Sequence, residues 1–148
     1  LRLILVGDQE PELDPLPQEC INMIRDNSSI IHINWSEHVK YFMAIADIFI
    51  FPSHREGFPN VLLQAGAMQL PIICSRIAGN VDIVSNEETG LIFDTANEEQ
   101  MLKLINRAIE NPDKMRNMAD NLLKRISKDF RRENIWQNIL AAYKSSLN

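Results

Sequence analysis

Five short apolar runs, separated by stretches of helical character, constrain the fold of this chain more than any other feature. They lie at about residues 2–6, 30–33, 48–51, 72–74 and 91–93. Strands that are apolar nearly throughout are buried on both faces, the condition of a parallel sheet covered by helices on either side. The intervening stretches fit that arrangement. Residues 16–25 carry Cys20, Ile21, Met23 and Ile24 as a weak helix, and Ser36 is placed to cap a helix from about Glu37 to Ala46. Pro59 suits the first turn of a helix reaching Gln69, because its missing N–H would be unbonded there in any case. From Asn97 the spacing is helical, with Met101, Leu104, Ile105, Ala108 and Ile109 on one stripe. Asn111-Pro112 breaks it, Phe130 marks a join, and Ile135, Trp136, Ile139, Leu140 and Tyr143 form a last stripe, with Trp136 expected in the core. The expected fold is α/β: a three-layer domain with one parallel sheet, right-handed crossovers and a helical C-terminal tail.

Composition narrows the function. The 148 residues fit one domain, 1–148, and 45% hydrophobic content is enough for a core without staples. The chain opens on Leu1-Arg2-Leu3-Ile4, already inside a strand-like run and without Met, so the expectation is a fragment of a longer protein. No apolar window approaches the ~20 residues of a membrane-spanning helix, and no signal peptide is expected. A net charge of -5 with no basic tract argues against nucleic-acid binding, which needs clustered Lys and Arg. Cys20 and Cys74 are too few for a zinc site or a disulfide framework. Both are expected as reduced core cysteines in a reducing compartment.

Open parallel sheets bind ligands at the carboxyl ends of their strands. The loops after Val6, Ile33, Phe51 and Cys74 therefore hold the candidate site. The most informative stretch is Pro52-Ser53-His54-Arg55-Glu56-Gly57-Phe58-Pro59-Asn60-Val61, which joins a strand to a helix. A helix that starts at this edge offers free N–H groups and the positive end of its dipole to a phosphate. Pro59 has no N–H, so the donors are Gly57, Phe58, Asn60 and Val61. Gly57 admits close approach of a ligand to the backbone, and Glu56 can accept hydrogen bonds from sugar hydroxyls. Gln64 stands in the otherwise apolar Val61-Leu62-Leu63-Gln64-Ala65-Gly66-Ala67-Met68, where a buried amide would need a partner. It shares a helix face with Asn60, four residues earlier. His54 lies in the loop, while His38 and His32 are expected to be ordinary surface or structural residues. With no Asp-x-Asp pair and no His cluster, no metal is expected.

Taken together, these residues resemble the signature of the large retaining GT-B glycosyltransferase family (group 1, family 4 type) that builds polysaccharide and lipopolysaccharide. The likeness covers nearly the whole chain. It rests on a strand ending Pro52-Ser53, then Glu56-Gly57-Phe58, a position eight residues on, a strand after Pro71, and the Gly79-Asn80-Val81-Asp82 loop. Leu3 to Pro11 resembles the family's first strand and Gly-Asp-Gly-Pro turn, with Gln9 in place of the second glycine. The resemblance implies a Rossmann-like C-terminal half of a GT-B fold. Glu56 would contact the donor sugar, and Gln64, where the family has a second glutamate, the ribose. Asn34 and Trp35 would lie near the nucleobase. The implied substrate is a UDP- or GDP-sugar with no further cofactor, transferred with anomeric retention by a hexosyltransferase. The acceptor, a glycan or lipid-linked saccharide, would bind through an absent N-terminal domain, so the fragment alone would be inactive. A cytoplasmic location, with peripheral association at the inner membrane face, goes with that reading. Two rivals are an epimerase acting on sugar nucleotides and a non-catalytic doubly wound module such as a receiver domain. The first lacks visible acid–base residues, the second its acidic pair and strand-end lysine.

Overall fold

The computed structural model describes residues 1–9, 11–13 and 15–146. Glu10, Asp14, Leu147 and Asn148 lie outside the described residues, as does the side chain of Ile135 in the last stripe. The chain divides into two compact units, Leu1–Phe42 and Met43–Asn148.

The first unit holds β1 (Leu3–Val6), α1 (Gln18–Asp26) and β2 (Ile30–Ile33). The two strands pair in parallel, Leu3 opposite Ile30 through Val6 opposite Ile33. α1 connects them and packs on β2. His32 is structural, as its place in a strand implied: its Nε2 lies 2.8 Å from the Gly7 carbonyl and ties the strand to the turn after β1. Cys20 is half-buried, not in the core. α2 (Val39–Ile45) carries the chain into the second unit.

That unit continues with β3 (Phe49–Phe51), α3 (Asn60–Ala67), β4 (Ile72–Ser75), α4 (Ala78–Ile83) and β5 (Leu91–Phe93). Three helices complete it: α5 (Glu98–Glu110), α6 (Pro112–Asp129) and α7 (Arg132–Ser146). Its sheet is parallel, in the order β3-β4-β5, with Phe51 opposite Cys74 and Ser75 opposite Phe93. β4 and β5 are buried at every residue. Strand side chains alternate between faces. Ile73, Leu91 and Phe93 meet Ala108 of α5 with Met115 and Met118 of α6. α3 packs on β4 and α6, and Gly66 is what lets α3 and α6 close together. A Cβ there would fall 2.5 Å from Ile126 Cδ1 and 2.8 Å from Leu122 Cδ2. Cys74, in the centre of this sheet, is fully buried, and burial pushes its thiol up to about 12. It is an inert core thiol.

All five strands form where the apolar runs placed them, and both ladders are parallel. Three features differ. The strands form two ladders, β1-β2 and β3-β4-β5, not one sheet. Apolar runs identify strands but carry no information about which strands exchange hydrogen bonds. Residues 78–83, which carry the Gly79-Asn80 loop signal, close a short helix through Asn80 and Val81 N–H bonds to the Ile77 carbonyl. Trp136 is 53% exposed, and Leu140 and Tyr143 on the same helix are also exposed. Among the described residues of the α7 stripe, Ile139 is exposed as well.

Candidate functional site

In the second unit the site grows from the carboxyl ends of β3 and β4. β3 ends at Phe51, Pro52 stops it, and the chain turns through Ser53–Pro59 into α3. Ser53 folds the turn on itself, its Oγ 2.8 Å from Glu56 Oε1 and 3.3 Å from the Arg55 carbonyl. Glu56 is half-buried, and among the described residues this is its one hydrogen bond. Its neighbour Arg55 forms no ion pair with it among the described residues. The carboxylate therefore keeps one oxygen free of protein donors.

α3 begins without a side-chain cap. Its first backbone bond runs from the Leu62 N–H to the Pro59 carbonyl. Among the described residues the N–H groups of Gly57, Phe58, Asn60 and Val61 donate to no protein acceptor. These are the orphan donors that any helix start leaves, and they follow directly on Glu56. Asn60 and Gln64 are both exposed, one turn apart on α3. Gln64 thus differs from the expectation of a buried amide in need of a partner. The helix is buried on the Leu62, Ala65 and Gly66 side alone, and Gln64 faces out, free to meet a ligand. Phe58 is 47% exposed, and its ring tilts against Phe130 at 5.9 Å between centroids, so its side chain packs while its N–H stays free. His54 is exposed.

Two glycines bear on this loop. A Cβ on Gly57 would meet nothing within 4 Å. A Cβ on Gly79 would fall 2.7 Å from the Gly57 carbonyl oxygen and 2.9 Å from Pro59 Cδ. α4 is seated against the loop only because position 79 lacks a side chain. Beside it Asn80, fully buried, donates to Ser75 at the end of β4, and Ser75 Oγ donates to the Ser53 carbonyl. Ser53, Ser75 and Asn80 were not legible as site residues. The signal for Ser75 was its place two residues beyond the last apolar residue but one of a buried strand.

Asn34 and Trp35 belong to the first unit, at the carboxyl end of β2, where both are exposed. The Trp35 N–H donates to Asp8 Oδ1 at 3.0 Å, which fixes the β2 turn to the β1 turn. A cavity of about 330 Å³ opens at the end of β1, lined by Gly7, Asp8, Gln9, Leu16 and His32 among others. In the second unit a cavity of about 490 Å³ lies between the 87–89 turn and α6, and no candidate residue lines it. Its Glu87 is engaged by Arg107 and Lys114, which hold its carboxyl down at about 2. That cluster is an exposed ion-pair network, and such pairs are weakly stabilising. Among the described residues no group of His, Cys, Asp and Glu could hold a metal ion. No helix among them is long and apolar enough to cross a membrane.

The sequence pattern described as "Glycosyl transferases group 1" matches residues 1–125. A Staphylococcus aureus protein named capsular polysaccharide biosynthesis glycosyltransferase CapM is 26% identical over 99% of this chain, which spans 38% of that protein. The crystal structure of Anabaena Alr3699/HepE in complex with UDP superposes on 98% of this chain with a TM-score of 0.86 at 22% identity; the chain spans 41% of it. The C-terminal domain of LpcC, a glycosyl transferase group 1 family protein from Francisella tularensis, superposes on 88% with a TM-score of 0.78 at 18% identity; the chain spans 70% of it. These likenesses agree with a Rossmann-like α/β fold of the GT-B kind.

Proposed function

The chain belongs to the glycosyl transferases group 1 family, and from that premise we propose that it is the C-terminal, donor-binding half of a retaining sugar transferase. The observation that carries the reading is the Glu56–Gln64 segment. A half-buried carboxylate with one free oxygen leads into a helix start with unbonded N–H groups, and an exposed amide follows two turns on. Those parts match the parts of a nucleotide diphosphate sugar. Glu56 accepts from the sugar hydroxyls. The N–H groups of Gly57, Phe58, Asn60 and Val61 meet the diphosphate, where helix dipole and free donors favour anions. Gln64 bonds the ribose. No protein nucleophile is invoked: the donor phosphates assist departure and acceptor deprotonation on one face of the sugar.

The acceptor groove is assigned to further residues of a longer polypeptide. In support, the chain spans 38% of the Staphylococcus relative and 41% of the Anabaena one. The Francisella structure it resembles is itself described as a C-terminal domain. The acceptor class is a glycan or lipid-linked saccharide of a surface polysaccharide, in line with the capsular role in the Staphylococcus relative's name. The donor is a UDP- or GDP-sugar, in line with the UDP held by the Anabaena protein. The location that suits these substrates is the cytoplasm, at the inner membrane face.

Gln64 supplies the test. In the protein at the length of its relatives, Gln64→Ala weakens donor binding by about 0.5–1.5 kcal/mol, the range of one neutral hydrogen bond. Gln64→Glu binds as tightly as the wild type or more so, because a carboxylate accepts from two ribose hydroxyls. Calorimetric titration with UDP-glucose, UDP-N-acetylglucosamine and GDP-mannose measures both. Unchanged affinity in Gln64→Ala for whichever donor binds would remove Gln64 from the site.

A further inference from the structure

Glu56 is held by a line of hydrogen bonds that starts in the core. Asn80, with 0% of its surface exposed, donates from Nδ2 to the Ser75 carbonyl at 2.9 Å and to Ser75 Oγ at 3.2 Å. The direction of this amide is set by Ser75, since the opposite flip would bring Oδ1 against the Ser75 carbonyl, two acceptors face to face. Asn80 Oδ1 has no partner among the described residues. A buried acceptor left unpaired costs about 1–3 kcal/mol, so the donor side of the amide is what the fold keeps. Ser75, 1% exposed, has accepted from Asn80 and gives its one hydroxyl proton to the Ser53 carbonyl. The main chain of Ser53 is thereby fixed across the ends of β3 and β4. Its own hydroxyl has a single proton and two acceptors in reach. The nearer, charged one is Glu56 Oε1 at 2.8 Å, against 3.3 Å for the Arg55 carbonyl, and bonds to ionised acceptors are the stronger kind.

We propose that Ser53 is a positioning residue for Glu56, anchored through Ser75 and Asn80, so that Oε1 is taken by the protein and Oε2 is left to the donor sugar. The inference rests on the assignment of Glu56 to that sugar. Without the Ser53 hydroxyl a half-buried carboxylate with no other partner rotates among its rotamers, and the sugar contact it makes is lost for part of the time. Ser53 touches no substrate and acts only through Glu56.

A double-mutant cycle in the protein at the length of its relatives tests this. Turnover is read as release of nucleoside diphosphate, with water as acceptor, from whichever of UDP-glucose, UDP-N-acetylglucosamine and GDP-mannose is hydrolysed fastest. Ser53→Ala lowers kcat by about tenfold, the lower end for a bond to a charged group, with donor KM within about twofold. Ser53→Thr, which keeps the hydroxyl, restores most of it. In a Glu56→Ala background, Ser53→Ala costs less than about twofold more, because residues that act as one unit are not additive. Two results would overturn the inference and leave Glu56 in its role: kcat in Ser53→Ala within twofold of wild type, or a full tenfold loss repeated on top of Glu56→Ala. Unchanged turnover in Glu56→Ala alone would take down the assignment of Glu56 and this inference with it.

Discussion

Glu56→Ala in the protein at the length of its relatives is expected to lower kcat by about a hundredfold or more, with donor KM changed far less. The expectation follows from what the carboxylate does. It holds the transferred sugar by its hydroxyls, and a reacting group misplaced by about 1 Å can cost on the order of a hundredfold in rate. Most donor affinity comes from other groups, the helix N–H donors and the ribose contact of Gln64. The loss therefore falls on turnover. Folding should be spared, since Glu56 is half-buried and among the described residues makes one hydrogen bond, to Ser53. Steady-state kinetics with a thermal melt alongside separates the two. Wild-type kcat in a folded Glu56→Ala protein would remove the sugar assignment.

Gly79→Ala is expected to be nearly as damaging, although position 79 touches no substrate in this account. The new Cβ would stand 2.7 Å from the Gly57 carbonyl oxygen and 2.9 Å from Pro59 Cδ. Neither neighbour is the far end of a flexible side chain. α4 and the loop must separate, and overpacking of this kind costs about 1–3 kcal/mol. Alanine in place of glycine inside a helix returns up to about 1 kcal/mol through propensity, so the net loss is about 1–2 kcal/mol, several degrees of melting temperature. Turnover should fall further than stability, by about tenfold or more, because the part that moves carries Glu56 and the unbonded N–H groups. Gly57→Ala is the control. Its Cβ would meet nothing within 4 Å, so the melting temperature should be unchanged. Equal melting temperatures for Gly79→Ala and wild type would show that the loop and α4 are not in the contact described.

The fold was legible in the sequence where burial alone decides it. Strands β4 and β5 are apolar because both faces are covered, and hydrophobicity marks such strands within a residue or so. β1 and β2 also form where their apolar runs lie, but they are not buried on both faces as expected: Leu3, Val6 and Ile31 are exposed. Asn111-Pro112 and Phe130 marked the α5–α6 and α6–α7 joins correctly because proline and a helix-ending bulky residue act locally. Features set by pairing or by distant neighbours were not legible. Nothing local says that β2 and β3 lie in different ladders. The 78–83 helix was hidden because glycine and asparagine are turn residues by propensity, while the close seat on Gly57 and Pro59 is tertiary. Trp136 has the spacing of a core residue, and amphipathic spacing identifies a face without saying what covers it. In the site, Glu56, Gly57 and the α3 start were visible because the chemistry of a strand-end loop before a helix is local. Ser53, Ser75 and Asn80 were not, because they act through bonds between residues 22 and 5 positions apart.

The central claim is that this chain binds a nucleotide diphosphate sugar along the Glu56–Gln64 segment. At 17.0 kDa the chain suits amide NMR. Titration of the labelled protein with UDP-glucose, UDP-N-acetylglucosamine and GDP-mannose should shift the amides of Glu56, Gly57, Phe58, Asn60, Val61 and Gln64, at weak affinity and for at least one donor. Shifts absent from the Glu56–Gln64 amides with every donor, or confined to the turn around Glu87 and Lys114, would contradict it.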